Sequence, residues 1–192
     1  FIHRVARLGV INSLSQTVLK FTASGVADTY QGTELWDFSL VDPDNRRPVD
    51  YALRERLLQE AQVFSPSMLD CWQDGRVKLF LTTRLLHLRR SVPGLFTRGE
   101  YEPVRVNGRL ANHVFAFTRS SDNRTALVAV CRLPASLAED SWPIGEAVWR
   151  DTTLDISLDG DRLEDIFTGK HPGSLKITDV FSDLPVTVLL SS

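Results

Sequence analysis

Cysteine is almost missing from this chain of 192 residues: Cys71 and Cys131 are the only two, and they stand far apart. That excludes a disulfide framework and a zinc ligand set, and makes a reducing, cytoplasmic setting the default. An excess of positive charge is missing too. Lys and Arg number 22 against 24 Asp and Glu, a formal net charge of -2, so the basic face of a nucleic-acid binder is not expected. No run of about 18 apolar residues exists, so no membrane-spanning helix is expected. His3, His87, His113 and His171 are scattered, which argues against a metal triad, and no cofactor motif stands out. Ser13 and Ser15 lack a Gly-x-Ser-x-Gly context, so a serine hydrolase is excluded. The opening Phe1-Ile2-His3-Arg4 has neither Met nor a signal-peptide layout and reads as a chain cut from something longer.

What is present is a globular composition, 43% hydrophobic and 24% charged, in a length that buries a real core. Val5, Leu8, Ile11, Leu14, Val18 and Phe21 recur every three or four residues, which predicts an amphipathic helix over about 3–23, closed by Ser24-Gly25. Val26 to Tyr30 reads as a short buried strand. Pro48 and Asp50 open a second helix, to about residue 62, with Leu53, Leu57 and Ala61 on one face. Gly75 precedes a third, about 76–91, with Val77, Leu81, Leu85 and Leu88 inward and Arg76, Lys78, Arg84, Arg89 and Arg90 mostly on its solvated side. After residue 98 the period changes to two. Tyr101–Val106, Asn112–Thr118, Thr125–Arg132, Thr153–Leu158, Leu163–Phe167, Leu175–Ile177 and Val186–Leu190 read as strands, with Asn107-Gly108 as a hairpin signal. Short strands at this spacing predict an antiparallel β-sandwich. The fold class is therefore α+β, divided into helices about one strand over 1–97 and an all-β domain over 98–192. One strand makes no parallel sheet, so the first part is not a complete α/β domain.

The most unusual stretch follows that strand. Six acids (Asp28, Glu34, Asp37, Asp42, Asp44 and Asp50) lie within a loop's reach of Arg46 and Arg47, with Tyr30, Trp36 and Phe38 interleaved. Planar aromatics beside carboxylates and guanidinium groups suit a sugar, whose C–H faces stack and whose hydroxyls take bidentate partners. A connector whose Arg–Asp pairs only fix the loop has the same composition.

Tyr30-Gln31-Gly32-Thr33-Glu34-Leu35-Trp36, followed by Asp42-Pro43-Asp44-Asn45-Arg46-Arg47-Pro48-Val49-Asp50, resembles the maltooligosyl trehalose synthases, members of the α-amylase family of glycoside hydrolases. Val77 to Arg90, Phe96 to Tyr101 and His113 to Arg119 also resemble them. The resemblance is strong over 12–119 and thinner afterwards, where Trp149-Arg150-Asp151-Thr152 and the region near Pro185 carry it. It implies that residues to about 97 are the last part of a (β/α)8 barrel, with Val26 to Tyr30 as the eighth strand and the loop after it at the catalytic face. The rest would be a C-terminal β-sandwich.

The implied activity is conversion of the reducing-end α-1,4 linkage of a maltooligosaccharide to an α,α-1,1 linkage, an intramolecular transglucosylation by the retaining mechanism. The family's nucleophilic Asp, acid/base Glu and stabilising Asp follow strands four, five and seven, so no catalytic residue is expected in this chain. What carries over is a substrate-binding set. Arg46 and Asp44 would form a salt-bridged wall, supported by Asp42 and Asn45. Trp36 would be either a stacking platform or a ring packed beneath the loop. Tyr30, Glu34 and Arg47 would stand behind the wall. Ala27 departs from the family, where Pro is expected. The implied partners are the maltooligosaccharide and the upstream part of the same polypeptide.

Two other readings stay open at this point. One is another α-amylase-family hydrolase or glucanotransferase, against which the Asp-Pro-Asp-Asn-Arg run argues. The other is a stand-alone carbohydrate-binding module built on the β part. Its only Trp residues, Trp142 and Trp149, fit core anchors better than an exposed platform.

Overall fold

The computed structural model describes residues 1–39, 41, 46–122, 124–137 and 141–191. Helix α1 (Ile2–Thr22) buries Val10, Ile11, Leu14, Val18 and Phe21, close to the expected face. Its first turn differs, because Ile2 and Val5 are exposed. Helix α2 (Tyr51–Glu60) begins where Asp50 accepts a hydrogen bond from the Leu53 N–H at 2.8 Å, an N-cap of the expected kind. A single turn, α3 (Ser67–Asp70), leads to Gly75, whose φ of +79° is one that other residues resist. Helix α4 (Arg76–Ser91) follows within the expected bounds and buries Val77, Leu81, Leu85 and Leu88. Pro93 occupies the first turn of a further short helix, α5 (Pro93–Thr97).

The cations of α4 are a correction. They are bound to the protein rather than solvated: Lys78 donates to the Leu35 carbonyl (2.9 Å), Arg84 to Ile166 (2.7 Å) and Arg89 to Phe21 (2.7 Å), and Arg76 meets Asp74 at 2.7 Å. Only Arg90 keeps an exposed position. Long side chains on a helix flank reach over the apolar contact and satisfy carbonyls at its border.

Strands β1 (Glu100–Asn107), β2 (Val114–Ser121) and β3 (Arg124–Cys131) run antiparallel in succession. Helix α6 (Glu146–Trp149), β4 (Thr153–Asp155), β5 (Leu163–Asp165), α7 (Ile177–Val180) and β6 (Val186–Ser191) complete the chain. The strands form one six-stranded antiparallel sheet in the order β4-β1-β2-β3-β6-β5. The expected sandwich is thus corrected: among the described residues there is one sheet, and its covering layers are helices and loops. Ile156–Leu158 and Leu175–Ile177 find no ladder; the latter region gives only an isolated bridge, Thr153 to Lys176, before α7.

Both faces of the sheet are buried. Phe117, Ala126, Val128, Val130, Val186 and Val188 join Leu14, Val18, Phe80, Leu81 and Leu85 of the helices. Leu127, Ala129, Cys131 and Leu189 face Trp149, Ile177, Val180 and Phe181. That explains the unbroken apolar run of β3, since a strand covered on both sides loses its alternation. Phe181 is fully buried against Trp149, and the Trp149 indole N–H donates to the Pro143 carbonyl at 2.8 Å. Ser15 of α1 donates to the Cys131 carbonyl at 2.7 Å, inside the joint between helix and sheet. Cys71 is exposed, whereas burial pushes the Cys131 thiol up to about 12.

The expected strand Val26–Tyr30 is not formed. Those residues make no ladder, and Val26 is 98% exposed. A parallel strand is held by neighbours on its edges, and the described residues contain no parallel strand to pair with it.

Candidate functional site

The loop between α1 and α2 is organised by one residue that sequence reading passed over. Arg54 of α2 donates from Nε to Glu34 (2.9 Å), from Nη2 to the Gly32 carbonyl (2.6 Å) and from Nη1 to the Asp50 carbonyl (3.1 Å). A planar fork with fixed donors is suited to tying two ends of a loop. Glu34 is therefore an anchoring carboxylate. At the turn, the Thr33 N–H and hydroxyl both donate to the Tyr30 carbonyl, at 3.1 and 2.7 Å. The Tyr30 ring is about half exposed.

Trp36 is half-buried. Its indole N–H donates to the Trp72 carbonyl at 2.6 Å, and the Lys78 ammonium stands 5.7 Å from its ring centre. Burial pulls the Lys78 ammonium below its ordinary value, Lys20 adds repulsion, and Asp37 and Glu34 oppose both. The Ser39 hydroxyl and N–H donate to Asp37 and hold its carboxyl below the ordinary value. Two cavities flank Trp36. One, of about 640 Å³, lies between Phe38, Arg56, Glu60 and Arg76. The other, of about 310 Å³, lies between Ser13, Thr33, Asp37 and Lys78.

Of the sequence-predicted set, Tyr30, Glu34 and Trp36 gather at the start of the loop, and Arg46 and Arg47 stand exposed near its end. Asp42, Asp44 and Asn45 lie outside the described residues. Among the described residues no cluster of three or more His, Cys, Asp or Glu is arranged to hold a metal.

A buried carboxyl lies elsewhere, in β5. Burial pushes Asp165 up to about 6, against donation from the Thr187 hydroxyl and the N–H groups of Phe167 (2.7 Å) and Thr168 (3.1 Å). Every donor is part of the fold, so this carboxyl has a structural role. Arg119 of β2, 2% exposed, is the second buried charge. It donates to Ser24 Oγ (2.7 Å) and to the carbonyls of Leu95, Phe96 and Gly99 (3.3, 3.2 and 2.9 Å). The available signal for both was an ionisable residue at an inward position of a strand.

No family model matches the chain. A protein assigned as a maltooligosyl trehalose synthase in Mycobacterium tuberculosis H37Rv is 38% identical over 184 residues, which is 93% of this chain and 20% of the relative. The match is to the C-terminal portion of the maltooligosyl trehalose synthases. The same identity is found with the corresponding protein of strain CDC 1551 / Oshkosh. The solved maltooligosyltrehalose synthase of Arthrobacter ramosus superposes with a TM-score of 0.75 at 38% identity, over 96% of this chain and 22% of that one. A further maltooligosyl trehalose synthase crystal structure gives 0.72 at 30% identity. The chain spans about a fifth of the length of the synthases it matches. No helix among the described residues is long and apolar enough to cross a membrane.

Proposed function

We propose that the polypeptide to which this chain belongs is a (1→4)-α-D-glucan 1-α-D-glucosylmutase acting on maltooligosaccharides in the cytoplasm. The observation that carries this reading is the 38% identity sustained over 93% of the chain to a protein assigned as a maltooligosyl trehalose synthase. In this reading residues 1–97 are the end of the catalytic barrel and 98–192 a C-terminal domain. The exposed apolar positions Ile2, Val5, Val26 and Tyr30 fit surface that neighbouring barrel segments would cover. Val26 to Tyr30 would then gain the edge partners it lacks here.

The reaction breaks the last α-1,4 bond at a carboxylate nucleophile and remakes the linkage at the anomeric oxygen of the released glucose. The catalytic carboxylates belong to other parts of the polypeptide. This chain contributes binding: Arg46 and Asp44 as a wall that hydrogen-bonds glucose hydroxyls, Asp42 and Asn45 beside them, Trp36 at its base, and Arg54 with Glu34 holding the loop. Incubation with maltopentaose tests the activity. A non-reducing product of unchanged length is expected, whereas free glucose or longer glucans would identify a hydrolase or glucanotransferase. Arg46→Ala in the full-length enzyme is expected to weaken transition-state binding strongly with folding intact, by about 2–5 kcal/mol if bound glucan and the rest of the barrel bury the Arg46–Asp44 pair. Near-normal kinetics would remove this loop from the sugar site.

A further inference from the structure

A cavity of about 330 Å³ opens between α4 and the ends of β3, β5 and β6, well apart in sequence from the 30–50 loop. Its charged lining is one-sided. Arg84 and His87 come from α4, Arg124 from β3, Arg162 and the single carboxylate Glu164 from the β5 region, and His171 from the loop after it. Leu88, Ile166 and Leu190 give it an apolar floor.

Some cations of this molecule meet carboxylates, and others, Lys78, Arg89 and Arg119 among them, are held by backbone carbonyls. Arg54, Arg76 and Lys170 each meet a carboxylate at 2.7–2.9 Å. Arg84 and Arg124 instead donate to backbone carbonyls, of Ile166 at 2.7 Å and Ser191 at 3.3 Å. Those bonds fix the guanidinium groups but leave their charge without a carboxylate partner among the described residues. Arg162 meets Asp159 at 3.4 Å, with its side chain 82% exposed. His171 Nδ1 lies 2.8 Å from the Leu163 carbonyl, so that nitrogen carries the hydrogen and Nε2 stays available.

We propose that this cavity is a binding site for a small phosphate monoester, with the phosphate held by Arg84, Arg124 and Arg162 and the body of the ligand against the Leu88, Ile166 and Leu190 floor. Guanidinium forks match phosphate oxygens bidentately, and an anion answers three guanidinium groups set against Glu164 and the Asp159 that meets Arg162. The volume is at the small end of ligand sites, which selects a ligand of sugar-phosphate size over a nucleotide or polymer. The site is independent of the glucan reading, and its test does not use glucan chemistry.

The test is titration of the 192-residue chain at low, fixed ionic strength with glucose 6-phosphate, inorganic phosphate and glucose, followed by calorimetry and amide NMR shifts. Glucose 6-phosphate is expected to bind with a Kd of about 1 mM or tighter and to shift amides of residues 84–91 and 162–171. Arg124→Gln with Arg162→Gln, both exposed positions, should weaken it about tenfold or more. Arg132→Gln, exposed and outside the cavity, should leave it unchanged. Three results would overturn the proposal: no saturable binding, equal weakening by Arg132→Gln, or inorganic phosphate binding as tightly as the ester. The last would reduce the site to a bare anion patch.

Discussion

Replacing Asp165 by Asn removes a charge while keeping the shape that the fold uses. Oδ1 of Asn still accepts from the Phe167 and Thr168 N–H groups, and the amide nitrogen can donate to the Thr187 hydroxyl. In the parent, burial raises this carboxyl from 3.8 to about 6. A carboxyl raised in the folded state stabilises it below the unfolded value and loses that contribution as pH rises through the folded value. The full loss is about 3 kcal/mol, from about two units at about 1.4 kcal/mol each. Between pH 4.5 and 7.5 about 2 kcal/mol of it should be seen, because the unfolded chain is already mostly ionised at the lower pH. The assay is urea denaturation of parent and Asp165→Asn at both pH values. The stability difference between them should move by about 2 kcal/mol in favour of the variant as pH rises. A difference that stays flat would mean that the backbone donors hold Asp165 ionised at an ordinary value, and that burial is not the dominant influence.

Arg119→Leu should destabilise the fold by about 3 kcal/mol, read from the urea midpoint, because three carbonyls and Ser24 lose their donor inside the joint. An unchanged midpoint would mean that water replaces the guanidinium. Limited proteolysis should cut rarely between residues 90 and 100, since Leu95 and Phe96 are buried in the same cluster as the sheet. Rapid release of two stable pieces would show that the two parts are not fixed to each other. The 192-residue chain alone should leave the reducing ends of maltohexaose unchanged, because a retaining mechanism needs two carboxyl groups about 5 Å apart, one with a raised pKa. Turnover abolished by changing an acid of the 28–50 loop would place the chemistry in this chain.

Local signals predicted local structure well. Gly75 and the three- and four-residue spacing of Val77, Leu81, Leu85 and Leu88 were enough for α4, and Asp50 was enough for the start of α2. Pairing was another matter. Val26 to Tyr30 has strand composition, but a ladder depends on neighbours that its own residues do not specify. Thr153 to Leu158 alternates cleanly and still pairs over only three residues, because β1 supplies partners for Thr153, Leu154 and Asp155 alone. Alternation also could not separate a second sheet from a helical cover, since either buries the same apolar face. In the loop, charge density was legible and its wiring was not. Arg54 sits within a helix pattern and looks like any solvated arginine until Gly32, Glu34 and Asp50 are seen around it.

The contrast between the two thiols makes the chain a ready-made reporter. A maleimide dye or spin label will find Cys71 in the native protein and pass over Cys131, whose thiol is sealed between sheet and helix and is a poor nucleophile. Labelling stoichiometry therefore counts states: one adduct per molecule while the joint between β3 and its cover of Trp149, Ile177, Val180 and Phe181 stays closed, and two once that joint opens. Pulsed alkylation followed by mass measurement would read the lifetime of the joint without any engineered cysteine.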